Sequence, residues 1–125
     1  MSDEPTPKIL IADDEAMLRS VAAEILSDSG FTVIEACDGV EALEALKANP
    51  DVDLLISDVR MPRMSGYALV DAGIALKPDL KVLLITGFSR DPLPDHLTKR
   101  GVQILYKPFD LETLPNLARQ TMGAN

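Results

Sequence analysis

The sequence predicts a doubly wound α/β domain: a five-stranded parallel sheet of order 2-1-3-4-5, covered by helices on both faces. Three observations carry this. Five short apolar runs alternate with segments of helical periodicity, so successive strands are joined by crossover helices and lie parallel. The first, third and fourth runs (KILIA, VDLLIS, KVLLIT) are nearly continuous in apolar residues, as strands buried on both faces are. The second and fifth (FTVIEA, VQILY) carry Thr32, Glu35 and Gln103, polar residues that suit the two edges.

Taken in order, residues 1–7 hold two prolines and no apolar pattern, and read as a loose leader before a folded core over 8–122. KILIA (8–12) is the first strand, followed by Asp13, Asp14 and Glu15. Leu18, Val21, Ala22, Ile25 and Leu26 then recur at helical spacing until Gly30 stops the helix. Residues 31–36 form the second strand. Asp38, with Glu41 three positions on, makes an aspartate version of a capping box, opening a helix through Leu43 and Leu46 that Asn49-Pro50 closes. The third strand is 52–57. Ser65 and Gly66 introduce a helix carrying Leu69, Val70, Ile74 and Leu76, ended by Lys77-Pro78. The fourth strand is 81–86. Pro92 and Pro94 make the next helix short or delayed. The fifth strand is 102–106, and Asp110 caps a last helix with Leu111, Leu114, Leu117 and Ala118 inward. Pro115 falls in its early turns, which predicts a late start or a local distortion.

The chain's 125 residues suffice for one domain with a proper core and are too few for two. No apolar run approaches the roughly 18 residues of a membrane span, and the acidic, proline-containing start has no signal-peptide core. A single cysteine, Cys37, forms no internal disulfide and fits a reducing cytoplasm. The net charge of −8 argues against nucleic acid or an anionic membrane as a direct partner.

In a sheet of this order, ligands bind beyond the carboxyl ends of the strands at the switch point between strands one and three. There the chain brings Asp13 and Asp14 after strand one, Asp58 after strand three, Thr86 at the end of strand four and Lys107 after strand five. Each has a plain alternative alone: helix-start electrostatics for the acidic pair, a turn residue for Asp58, a β-favoured threonine, an ordinary surface lysine. Together they are coherent chemistry. Three carboxylates in one pocket repel one another and call for a cation. Oxygen donors without histidine or cysteine suit a hard ion such as Mg2+. An aspartate attacks phosphorus without needing a base, while an ammonium and a hydroxyl neutralise and bind the phosphoryl oxygens.

Four pieces in order, ILIADDEA, LLISDVRMPRMSG, LLITGF and YKPF, resemble the receiver domain of the response-regulator family, a flavodoxin-like (βα)5 fold, over Lys8 to about Met122. The resemblance implies that Asp58 accepts a phosphoryl group from a phosphohistidine on a histidine kinase or phosphotransfer protein. It also implies that Asp13, Asp14, Asp58 and the backbone carbonyl of Arg60 hold Mg2+, that Thr86 and Lys107 read the phosphoryl group, and that the Lys107-Pro108 peptide is cis. The only reactions implied are the chain's own phosphotransfer and dephosphorylation. With few residues after the last helix, the expectation is a single-domain regulator, monomeric or weakly dimeric, that acts on a downstream protein or passes phosphate on.

The chain departs from the family's pattern at the switch. The aromatic that normally stands three positions before the lysine is Ile104 here. Tyr106 is expected not to replace it in register, on the ground that strand residues alternate between faces. Phe88 is the aromatic nearest the site, which predicts that output runs through the loop from Phe88 to Pro94. Charged residues of the common dimer face around helix four, strand five and helix five are missing. His96 reads as a polar-loop residue, Met61 and Met64 as packing beneath the turn, and Cys37 as structural.

Three other folds or roles place an acid at the end of a strand or share this sheet. A haloacid-dehalogenase-like phosphatase needs a second acid two residues after its aspartate, where Arg60 stands. A flavin carrier needs a hydroxyl- and glycine-rich loop after strand one, where ADDEA would repel phosphate. A receiver that only binds partners, without being usefully phosphorylated, is disfavoured by the intact acidic set.

Overall fold

A computed structural model of the chain describes residues 6–87, 93–107 and 109–123. Its sheet has five parallel strands in the order β2-β1-β3-β4-β5. These are β1 (Lys8–Ala12), β2 (Thr32–Ala36), β3 (Leu54–Asp58), β4 (Lys81–Thr86) and β5 (Gln103–Tyr106). Between and after them run α1 (Ala16–Asp28), α2 (Gly39–Ala48), α3 (Gly66–Leu76), α4 (Asp95–Lys99) and α5 (Leu114–Thr121).

Alternation along the strands divides the core in two. Ile9, Ile11, Leu54, Ile56, Leu83 and Ile85 pack with Leu26 of α1 and with Leu114 and Ala118 of α5. Leu10, Leu55, Val82 and Leu84 face the other way, onto Leu46 of α2, Val70 of α3 and Leu97 of α4. This is why the central strands show no polar alternation: both faces are covered. β2 and β5 are the edges, and Thr32, Glu35, Gln103 and Tyr106 are exposed on them.

Local chemistry sets most element ends. Asp38 caps α2, its carboxylate accepting from the Glu41 amide at 2.8 Å. The returning Glu41 carboxylate reaches the Cys37 amide at 2.9 Å, one residue earlier than a standard capping box. Ser65 caps α3 through the Ala68 amide. Pro115 delays α5, since a proline nitrogen donates no hydrogen bond and is tolerated only in a first turn. The chain therefore makes a 3-10 turn over Leu111–Thr113, capped by Asp110, before α5 begins. α4 has only five residues, and Pro94 is its cap.

Three expectations need adjusting. β3 starts two residues later than 52 and includes Asp58, because its pairing with β1 begins at Leu54 and its pairing with β4 ends at Asp58. Val21 and Leu76, placed by periodicity on inward faces, are 43% and 51% exposed. Small neighbours do part of the packing instead: Ala23 is buried in α1 and Gly73 in α3. Cys37 is exposed rather than structural, its thiol beside the Glu41 carboxylate. Met61 and Met64 pack against the core as expected. Among the described residues no helix is long and apolar enough to cross a membrane.

Candidate functional site

The sheet's own hydrogen bonds run past the strand ends and hold the site's backbone. The Asp13 amide donates to Ala36 O at 3.1 Å, the Val59 amide to Ile85 O at 3.0 Å, and the Lys107 amide to Thr86 O at 2.8 Å. The residue after β1, the residue after Asp58 and the residue after β5 are thus each pinned to a neighbouring strand. Arg19 adds a tie, donating to the Asp13 carbonyl at 2.8 Å while its Nε meets Glu35 at 3.2 Å.

The side chains converge accordingly. Asp13, Asp14 and Asp58 each offer a carboxylate oxygen within 4.8 Å of the others; Asp13 and Asp58 are buried and Asp14 is exposed. The Lys107 ammonium is 3.0 Å from Asp58 Oδ2, and the Arg60 amide donates to Asp58 Oδ1 at 3.2 Å. Thr86 ends β4 and is 2% exposed. A cleft of about 240 Å3 is lined by Asp14, Glu15, Asp58, Arg60, Thr86, Gly87 and Lys107. Larger hollows lie at the opposite end of the sheet, lined by residues such as Lys81, Arg100 and Arg119, away from this constellation.

Electrostatics follow from the crowding. Burial pushes the Asp13 carboxyl above the usual range; the Glu15 amide pulls it back, and the Asp58 charge raises it again. Lys107 loses hydration through burial, which by itself lowers its pKa. The hydrogen bond to Asp58 and the charges of Asp58, Asp13 and Glu15 outweigh that and hold it above an ordinary lysine. The ammonium is therefore a fixed positive charge among acids.

The donor set fits a hard divalent cation: three carboxylates, two of them buried, and no sulfur or imidazole among the site residues. The Lys107–Asp58 contact shows that the acids are partly offset without metal. Part of the positive charge that the sequence reading assigned to a bound metal is thus supplied by a side chain. The remaining excess is what Asp13 reports. Asp13→Asn should raise the melting temperature by a few degrees in low-salt, metal-free buffer. A carboxyl with a raised folded pKa favours the fold most below its unfolded value of about 3.9, and that contribution is lost as pH rises through the raised value. The gain should accordingly be present at neutral pH and vanish in acid; a mutant no more stable than the parent at pH 7 would contradict the account.

Glu15 was not singled out by the sequence. It stands at the cap of α1 and approaches Lys107 at 3.5 Å, so it competes with Asp58 for the ammonium. Its place directly after the acidic pair was the available signal. Ser57 is buried and donates to the Asp58 carbonyl at 2.9 Å.

Ile104 is half-buried against the core cluster of α2, α3 and α4, and Tyr106 is 41% exposed. The two lie two residues apart on β5 and so share a face, contrary to the alternation argument; they differ in depth, not in direction. Phe88 and Pro108, with the Phe88 end of the loop and the expected cis peptide, lie outside the described residues. His96 pairs across the surface with Asp71 of α3 at 2.8 Å, both exposed and remote from the cleft's lining.

A model described as the response regulator receiver domain matches residues 9–119. The chain belongs to that family. The receiver is 36% identical over 110 residues to the response regulator receiver protein CpdR of Brucella abortus, covering 87% of this chain and 91% of that one. It is 36% identical to the C4-dicarboxylate transport transcriptional regulatory protein DctD of Rhizobium meliloti, but spans only 25% of that protein's length. Among solved structures, the receiver domain of the hybrid histidine kinase CckA matches with a TM-score of 0.78 at 37% identity, over 92% of this chain and 98% of that one. The receiver thus resembles both small regulators and modules of larger proteins.

Proposed function

We propose that this receiver accepts a phosphoryl group on Asp58 from the phosphohistidine of a histidine kinase or phosphotransfer protein, in a Mg2+-dependent reaction, and signals through altered protein contacts. The observation that carries the reading is the buried Asp58 carboxylate, 3.0 Å from an ammonium and within 4.8 Å of two further acids at one sheet edge. Asp13, Asp14, Asp58 and the Arg60 carbonyl would hold the metal. When bound, Mg2+ neutralises phosphoryl oxygens that four acids (Glu15 included) would otherwise repel.

The chain's own residues do the rest. An Asp58 carboxylate oxygen attacks phosphorus; the phosphorus–nitrogen bond breaks, its electron pair leaves with the donor imidazole, and an acyl phosphate forms. A carboxylate oxygen needs no base to activate it as a nucleophile. Lys107, held protonated by its acidic neighbours, is free to follow charge from the carboxylate to the phosphoryl oxygens. Thr86, the last residue of β4 and paired with Tyr106 of β5, would donate its hydroxyl to the same oxygens. The only reactions proposed are the chain's own: uptake of this phosphoryl group and its later loss to water. The 91% coverage of CpdR favours a small regulator over a module of a larger protein; such a regulator would act in the cytoplasm by contact with a downstream protein. Output would involve the loop beginning at Phe88, since position 104 is aliphatic.

Intact-mass analysis after acetyl phosphate treatment tests this. One phosphoryl adduct is expected with Mg2+, and none with EDTA or in Asp58→Asn. An unmodified mass throughout, with a panel of histidine kinases as well, would leave a domain that only binds partners.

A further inference from the structure

The loop between β3 and α3 supplies the Arg60 backbone, and it is tied to the rest of the molecule at an unexpected place. The Arg63 guanidinium grips Asp38 with two bonds, Nε to Oδ2 at 3.0 Å and Nη2 to Oδ1 at 3.1 Å. Asp38 is also the cap of α2 and is 8% exposed, so its position is set by a helix end rather than by solvent. Arg63 pays for this grip: it is the one non-glycine residue among those described with a positive φ, 68°, a region that β-carbon-bearing residues enter at a cost. The next residue closes the contact. A Cβ at Gly39, the first residue of α2, would stand 2.5 Å from the Met64 carbonyl oxygen, so the loop backbone rests directly on the start of α2.

The two ends of the loop are anchored as well. The Gly66 amide donates to Val59 O at 2.8 Å, closing residues 59–66 on themselves, and the Arg60 amide meets Asp58 Oδ1. Between those anchors the loop meets α2 through the Arg63–Asp38 clamp and through the Met64 backbone on Gly39, while Met61 and Met64 pack against the core. The left-handed backbone of Arg63 and its planar two-bond contact with a fixed acceptor, made by a side chain that is 59% exposed, are the two observations that set this residue apart.

We propose that Arg63 is a positioning residue for the metal site: clamped to Asp38, it holds the β3–α3 loop in the register that presents the Arg60 backbone to the acidic cluster. The inference rests on the phosphoacceptor reading. Arg63 touches neither the cleft lining nor the acids; it acts through the backbone, as partners behind metal ligands do.

Calorimetric titration with Mg2+ reads this directly. Arg63→Asn removes the guanidinium but keeps a side chain that tolerates positive φ. Asp38→Asn removes the charge but keeps a cap of equal quality for α2. Each should weaken Mg2+ binding by about tenfold, the low end for partners behind metal ligands, and the double variant should be no worse than either. Phosphoryl uptake should slow at limiting Mg2+ and recover at saturation. Arg119→Ala loses a cation–π contact with Phe31 and a bond to Ser29 O at the far end of the sheet. It should cost stability without moving Mg2+ affinity, separating positioning from general loosening. Unchanged affinity in Arg63→Asn, with a parent that binds Mg2+ and takes up phosphate, overturns the clamp alone. A parent that binds no Mg2+ and gains no adduct overturns the functional reading with it.

Discussion

Lys107→Met is expected to slow phosphoryl uptake from acetyl phosphate by roughly a hundredfold, the scale of losing one preorganised group that meets developing charge. The donor phosphoryl is anionic, and Asp13, Asp14, Glu15 and Asp58 surround its landing point; among the described residues that line the cleft, the cationic ones are Lys107 and the exposed Arg60. The same substitution should destabilise the metal-free chain by about 1–2 kcal/mol. Removing one partner of a fully buried pair costs about 3–5 kcal/mol, and the Lys107 side chain, at 26% exposed, is screened in part by water. The sign of the pH dependence is fixed by the direction of the shift. A lysine whose folded pKa is raised contributes stability fully below its unfolded value of about 10.4, and loses it as pH rises through the higher folded value. Parent and variant should therefore differ at neutral pH and converge in strong alkali. Adding Asp58→Asn should restore much of the lost stability and none of the uptake. If Lys107→Met took up phosphate at the parent's rate, the lysine would be a structural counter-ion and no more.

The sheet was legible because its signals are local and redundant. A strand buried on both faces must be apolar throughout, and that alone placed β1, β3 and β4 in the centre; Thr32, Glu35 and Gln103 marked the edges. The site followed from topology, since strand order decides which carboxyl ends meet. Asp13, Asp14, Asp58 and Lys107 were therefore findable from their places after the strands. What escaped was whatever depends on side-chain reach between segments distant in sequence. Glu15 looks like any helix-start acid until Lys107, 92 positions on, is seen at 3.5 Å. Arg63 and Asp38 are separated by 25 positions, and Asp38 already had a sufficient local account as a helix cap. The Ile104 and Tyr106 argument failed for a simpler reason: two positions on a strand is one full period, so depth rather than face separates them.

Gly66→Ala is expected to be the most damaging small substitution near the site. Gly66 has no unusual φ and begins a helix, where alanine is normally the better residue. The obstacle is space. A Cβ there would drive into the Asp58 carbonyl oxygen and lie 2.9 Å from Val59 Cα, and both obstacles are backbone, which cannot rotate away as a flexible side chain does. Relief requires moving either the start of α3 or the end of β3. Moving the end of β3 strains the Val59–Ile85 ladder bond and the Ser57 bond to the Asp58 carbonyl. Moving α3 lifts Leu69 and Val70 from the core. We expect a loss of about 3 kcal/mol, the upper range for overpacking, and a melting temperature lower by roughly 10 °C. Gly87→Ala is the comparison: it lies one residue beyond β4 with no described atom within 4 Å of an added Cβ, and its melting temperature should stay close to the parent's. Gly66→Ala should also take up phosphate more slowly than its remaining folded fraction explains, because the atom it displaces belongs to the acceptor residue itself. A variant as stable as Gly87→Ala would mean that α3 slides along the sheet at little cost, and that the turn after Asp58 is looser than its closed hydrogen bonds indicate.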